Sequence, residues 1–215
     1  MPDCATVYRA PIAPTGGTLF LLSLLFLILC AALVLAAPMV GKPAPDFSAI
    51  DSNGVRHALS AQRGSIVVLE WTNHDCPFVR KHYGSGNMQA LQREAKDQGV
   101  VWWSIISSAP GKQGHVSPAE ANELTISRQA APAAVLLDSN GTIGQLYGAR
   151  TTPHMYIIDP QGTLVYMGGI DDKPSTNPAD IATANNYVRT ALDALEHGQS
   201  VEPSSTRPYG CSVKY

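Results

Sequence analysis

One stretch constrains this 215-residue chain more than any other: Ser65-Ile66-Val67-Val68-Leu69-Glu70-Trp71-Thr72-Asn73-His74-Asp75-Cys76-Pro77-Phe78-Val79-Arg80-Lys81-His82-Tyr83. Ile66 to Trp71 is apolar and rich in β-branched residues, the pattern of a buried strand. A polar loop follows, then Cys76 and Pro77. Proline suits the first position of a helix, where the missing N–H is no loss. The order predicts strand, loop, helix, with Cys76 at the helix N-terminus. There the free N–H groups and the positive dipole end favour a thiolate. The stretch is therefore a place for thiol chemistry.

The remaining chain supplies the frame. Asp46 to Ile50 and Val55 to Ala58 flank the turn Asp51-Ser52-Asn53-Gly54 and predict a hairpin, with the first segment as an edge strand. The helix after Cys76 is interrupted at Gly84-Ser85-Gly86, and Asn87 is expected to cap a second piece, Met88 to Gln98. Val100 to Ile106 predicts a second buried strand. Ser117 caps a helix from Pro118 to about Gln129. Ala134 to Leu137 predicts a short strand and Thr142 to Tyr147 a short helix. His154 to Ile158 and Thr163 to Met167, joined by Asp159-Pro160-Gln161-Gly162, predict a hairpin. A helix is expected from Asn177 or Pro178 to about His197, with Ile181, Val188, Leu192 and Leu195 on its apolar face. The tail from Gln199 to Tyr215 has no period. The succession βα, βα, β, ββ, α predicts an α/β domain with a mixed central sheet and helices on both faces.

Two domain-level segments are expected, 1–37 and 38–215. Leu19 to Ala37 is nearly all apolar and uncharged. It reads either as a signal peptide cut after Val34-Leu35-Ala36 or as a retained N-terminal membrane anchor. Both export the domain, to the periplasm or to the outward side of an inner membrane. Ile28-Leu29-Cys30 lacks the small residue a lipoprotein site needs. Lys+Arg 15 against Asp+Glu 17 leaves a net charge of −2 and no basic stripe, so no nucleic-acid partner is expected. Cys4 and Cys30 lie in the N-terminal segment, which leaves Cys76 and Cys211 for the exported domain. In an oxidising compartment such a pair is a candidate disulfide. A permanent structural bridge and two unrelated thiols are the other readings.

Several of these residues resemble a known family. Gly41-Lys42-Pro43-Ala44-Pro45-Asp46-Phe47 is similar to the opening of redoxin domains of the alkyl hydroperoxide reductase/thiol-specific antioxidant family. Asn73-His74-Asp75-Cys76-Pro77-Phe78-Val79 resembles the cysteine motif of a peroxiredoxin-like branch of the thioredoxin superfamily. Thr152-Pro153 before the strand at His154 resembles its cis-proline loop. Gly169-Ile170-Asp171-Asp172 and Gly210-Cys211-Ser212-Val213-Lys214 also recur in that branch. The resemblance spans about residues 40–215. It implies a thioredoxin-like fold and a thiol-dependent oxidoreductase acting on a peroxide, or on a protein or small-molecule disulfide, with an external thiol as reductant.

Within that resemblance Cys76 is the expected nucleophile and Cys211 the expected resolving thiol. Pro153 is expected to be cis and, with Thr152, to face the cysteine loop and an extended substrate. His74 is a candidate proton acceptor. Arg80 is a candidate for lowering the thiol pKa by charge, and Arg150 a candidate anion-binding group. Glu70, inside a buried strand, reads either as a proton-shuttling carboxylate or as a solvent-facing one. The departures are as informative. Val79 stands where a Cys-x-x-Cys motif has its second cysteine. Asn73 and Leu69 stand where typical peroxiredoxins carry threonine and proline, and Pro153 where they carry an arginine. A rival reading gathers Cys76, His74, His82 and His154 around copper or zinc, and a second makes the domain a non-catalytic binding module. The leading reading requires no cofactor and no metal. Nothing in the sequence sets the oligomeric state.

Overall fold

The structure, a computed structural model, describes residues 37–215; the expected signal or anchor segment lies outside the described residues. At its centre is a five-stranded sheet in the order β5-β4-β3-β7-β8. Strands β3 (Val67–Trp71), β4 (Val101–Ile106) and β5 (Ala134–Leu137) run parallel. Strands β7 (His154–Ile158) and β8 (Leu164–Gly168) join antiparallel, β7 against β3. The central position of β3 explains its composition. All five of its residues are buried, so it cannot alternate polar with apolar residues as a half-exposed strand does.

The pleat of β3 sends successive side chains to opposite faces, and each face has its own core. Val68 joins a cluster with Cys76, Val79, Met88, Leu91, Trp102, Val188 and Leu192. These come largely from helices α1 (Pro77–Gly84), α2 (Asn87–Asp97) and α5 (Tyr187–Glu196). Leu69 and Trp71 join the opposite cluster with Trp103, Ile143, Tyr147 and Tyr156, closed by α4 (Thr142–Tyr147) and the hairpin β1 (Ser48–Ile50) and β2 (Arg56–Ala58). Helix α3 (Pro118–Ser127) packs Ala121 beside Ile106 and Val135. Its start carries a full capping box: Ser117 Oγ accepts from the Glu120 amide and Glu120 accepts from the Ser117 amide. The α/β architecture is thus a mixed sheet with helices on both faces. Among the described residues no helix is long and apolar enough to cross a membrane.

Three expectations are corrected. The hairpin at residues 48–58 makes its own two-stranded sheet rather than an edge of the main one, attached through an isolated bridge from Asp51 to Leu136. The second piece of the helix after Cys76 is capped at Gly86, in the left-handed conformation, and Asn87 is its first residue. The long final helix is two pieces: a 3-10 segment, Pro178–Thr183, and then α5. Asn186 makes the break. Its side chain accepts from the Arg189 amide, and its backbone bridges to Asp171, so it caps a new helix instead of continuing an old one.

The tail is where the structure adds most to the sequence. Strand β6 (Thr151–Thr152) pairs antiparallel with β9 (Cys211–Ser212), with Thr152 opposite Cys211. Earlier along the tail, Thr206 bonds the β8 backbone at Met167 and the Tyr166 hydroxyl. Leu69 is fully buried on the β3 face beneath α4. Leu69→Ala is expected to lower unfolding free energy by about 2–5 kcal/mol, read as a shift in the urea midpoint at unchanged slope.

Candidate active site

Cys76 is the N-cap of α1, with Pro77 as the first helical residue. Its amide donates to the Asn73 carbonyl at 3.1 Å and its carbonyl accepts from the Arg80 amide at 2.9 Å. Asn73 shapes the loop: its Oδ1 accepts from the Asp75 amide and its Nδ2 donates to the Gln113 carbonyl. The sulfur is 0% exposed. As a thiol it donates to the Thr152 carbonyl at 3.0 Å. The Thr152–Pro153 peptide bond is cis. Thr152 therefore meets Cys76 through its carbonyl and Cys211 through the backbone ladder. The sequence places the two cysteines 135 positions apart; β6 closes that gap.

Both cysteines are free, and Cys211 packs against the core cluster that contains Cys76. Their acidities diverge. Burial is the largest influence on Cys76 and opposes ionisation. Hydrogen bonds from Cys211, from the Thr152 side chain and from the Val79 and Cys211 amides outweigh it and hold the thiol below its ordinary range. Cys211 is pushed up to about 11 by burial, by its hydrogen bond to Cys76 and by the negative charge there, with Lys214 opposing. The pair is thus asymmetric: ionisation is favoured at Cys76 and opposed at Cys211.

Gly210 allows the neighbour to be there. Its φ is +139°, and a Cβ at this position would stand 2.0 Å from the Thr152 carbonyl oxygen. No other residue type permits that approach.

The expected auxiliary residues are placed less directly. Arg80 is exposed and bonds Asp75 Oδ1 at 3.0 Å and the His74 carbonyl at 3.2 Å. It braces the loop. His74 stands 3.4 Å from Asp75 and its carbonyl also accepts from Arg128. Burial chiefly lowers its pKa, with Asp75 opposing. Among the described residues no hydrogen bond joins His74 or Arg80 to the Cys76 sulfur. Arg150 holds the tail through its carbonyl, which accepts from the Val213 amide.

Glu70 does not face solvent. It is fully buried and accepts from Tyr83, Gln92, Trp102 and Ser104 at 2.9–3.2 Å. Four donors from α1, α2 and β4 converge on one carboxylate, which ties these elements together beneath the cysteine loop. Burial and Glu70 push the Tyr83 phenol well above its ordinary value, so it stays a donor.

Metal ligation finds no such convergence. His82 is engaged by Asn87 and Tyr209, and His154 by the Arg150 amide and Tyr156. Burial takes His154 down to about 3, with Arg150 assisting. Among the described residues no three His, Cys, Asp or Glu side chains gather in a way that could hold an ion.

What sequence reasoning missed is the set of tail contacts around Cys211. Tyr209 donates to Asp171 Oδ1, and its ring packs edge-on against Phe78 of α1 with centroids 5.8 Å apart. Asp171 pairs with Lys81 at 3.7 Å, both side chains essentially unexposed. No local pattern signals a carboxylate and an ammonium that meet across ninety residues.

A five-stranded mixed sheet, a helix that starts at a buried cysteine and a cis-proline loop facing it define a thioredoxin-like redoxin. The model of the AhpC/TSA family matches residues 40–167, and the chain belongs to that family. It is accordingly a thiol oxidoreductase. No curated protein matches the chain. Among solved structures it is similar to an uncharacterized conserved protein from Geobacillus kaustophilus, at 26% identity and TM-score 0.70, covering 82% of this chain and 92% of that one. A hypothetical protein from Sinorhizobium meliloti 1021 is similar at 22% identity and TM-score 0.69, over 84% and 96%. A putative protein disulfide isomerase from Bacteroides thetaiotaomicron shares the fold at 18% identity and TM-score 0.53, over 75% and 95%.

The site makes two checks available. Cys211→Ala removes a donor to the Cys76 thiolate, so the Cys76 pKa is expected to rise; thiolate absorbance near the ultraviolet edge, followed against pH, reads the shift. Gly210→Ala is expected to lift the tail from Thr152 and, at a pH above the Cys76 pKa where both forms are fully ionised, to speed alkylation of Cys76 by about tenfold, since access then governs that rate.

Proposed function

We propose that Cys76 and Cys211 work as a redox pair in which Cys76 attacks and Cys211 resolves. The observation that carries this reading is the β6–β9 ladder, which sets Cys211 opposite Thr152 while the Cys76 sulfur bonds the Thr152 carbonyl. With a peroxide, the Cys76 thiolate takes the terminal oxygen with its hydrogen, the O–O bond breaks, and the alkoxide or hydroxide leaves and takes up a proton from water. Cys76 becomes a sulfenic acid. Cys211 then attacks that sulfur, water leaves, and a Cys76–Cys211 disulfide forms. With a disulfide substrate, Cys76 displaces one sulfur as a thiolate and Cys211 displaces the other. Both routes end on the same bond, which two equivalents of an external thiol return to the dithiol.

The buried Cys76 and half-buried Cys211 support attack of the external thiol at Cys211. A cleft of about 550 Å³ lined by Asp172, Pro174, Arg207, Tyr209 and Gly210 opens beside it. Thr152 and Pro153 hold the pair in register, and His74 and Arg80 act by shaping the loop. We also infer export, which the apolar run from Leu19 to Ala37 supports and which suits a disulfide-forming pair.

The test is peptide mapping by mass spectrometry after one equivalent of hydrogen peroxide or, in parallel, of glutathione disulfide. A Cys76–Cys211 bond is expected. In Cys211→Ser, trapped Cys76 sulfenic acid marks the peroxide route and a Cys76–glutathione adduct marks exchange. Both cysteines recovered as free thiols after both oxidants would overturn the proposal. Cys76→Ser is expected to abolish turnover.

A further inference from the structure

Three consecutive tail residues are fixed in three different ways. Cys211 is held by backbone pairing to Thr152, and Gly210 is pressed against the Thr152 carbonyl. Tyr209 is held by its side chain alone: its hydroxyl donates to Asp171 Oδ1, and its ring packs on Phe78.

The acceptor is an uncommon one. Asp171 is buried, and its partner Lys81 lies 3.7 Å away, with side-chain exposures of 1% and 0%. Lys81 also donates to the Lys173 carbonyl at 2.8 Å, and the Lys173 amide donates to Asp171 Oδ1 at 2.9 Å. His82 faces the same carboxylate at 3.9 Å. Lys81 and His82 sit on α1, the helix capped by Cys76. One carboxylate therefore joins the helix that carries the first thiol to the segment that carries the second.

Stability does not account for this arrangement. A buried ion pair contributes little net free energy, because desolvation offsets the attraction. What it does supply is direction. A phenol bound to a fixed carboxylate oxygen has one place to be, whereas an apolar contact tolerates sliding.

We propose that Asp171 and Tyr209 are positioning residues for the Cys76–Cys211 couple: Asp171, oriented by Lys81, pins the Tyr209 hydroxyl and so sets the effective concentration of the Cys211 thiol at Cys76. The proposal rests on the redox pair inferred above. Effective concentration is the quantity through which a tether acts without touching the reacting atoms.

The full chain is equilibrated with mixtures of reduced and oxidised glutathione, quenched with acid, and scored for the Cys76–Cys211 bond. In the forward direction two glutathione thiols break that bond. The protein gains two S–H groups and one glutathione disulfide forms. The equilibrium constant reports the effective concentration.

Tyr209→Phe keeps the ring against Phe78 and removes the hydroxyl; Asp171→Asn keeps the shape and removes the charge. Each is expected to lower the effective concentration by about tenfold, the scale of one hydrogen bond to a charged group. Tyr209→Phe removes one oxygen atom, so it carries the test if Asp171→Asn does not fold. A Cys76–Cys211 bond that forms with a wild-type constant in Tyr209→Phe overturns the positioning role and leaves the redox pair standing. A wild-type chain that never forms the bond overturns both.

Discussion

The structure turns on the carbonyl of Thr152. It accepts from the Cys76 sulfur, and its residue is paired by backbone to Cys211. It also lies so close to residue 210 that only glycine fits. Each of these contacts depends on a different element. Helix α1 brings the first thiol, the turn into β7 brings the carbonyl, and the tail brings the second thiol. The sheet makes the convergence possible: β3 leads into the cysteine loop and β7 pairs directly with β3, so the loop at one strand end and the turn at the start of the next share one edge.

Electrostatics then differentiates two chemically identical side chains. Cys76 sits at a helix start among groups that lower its pKa, whereas burial and the neighbouring Cys76 raise that of Cys211. The difference comes from position, since neither cysteine has an unusual residue type at its side. The nearby charges serve geometry more than acidity: Arg80 and Arg128 hold loop carbonyls, and Lys81 holds Asp171. Of the two arginines that sequence reading singled out for charge, Arg80 binds a loop carbonyl and Arg150 meets the tail through its own carbonyl.

The fold was largely legible in the sequence because its signals are local. A run of β-branched residues made β3, a proline after a cysteine made the start of α1, and Ser117 with Glu120 made the start of α3. The expected fold class matches the structure. The cis bond at Pro153 was expected from a resemblance and is seen in the structure, although no local propensity announces it. Where local reading failed, a side chain had two readings and a tertiary contact chose between them. Asn186 looked like a residue within a helix and is the cap of one. Glu70 was odd in a buried strand until its four donors, from positions 83 to 104, were seen to converge. The tail from 199 to 215 had no period because it is ordered by contacts with β6, β8 and α1 rather than by its own spacing.

The way the tail is attached gives it one more meaning. Every strand of the central sheet precedes β9 in the chain, and β9 pairs only with the two residues of β6. The sheet and the helix that Cys76 caps therefore do not depend on the Cys211 strand for their pairing. The fold and the cover over its first thiol are separable parts of one chain. A form of this protein clipped ahead of β9 is in that sense a different reagent from the intact one.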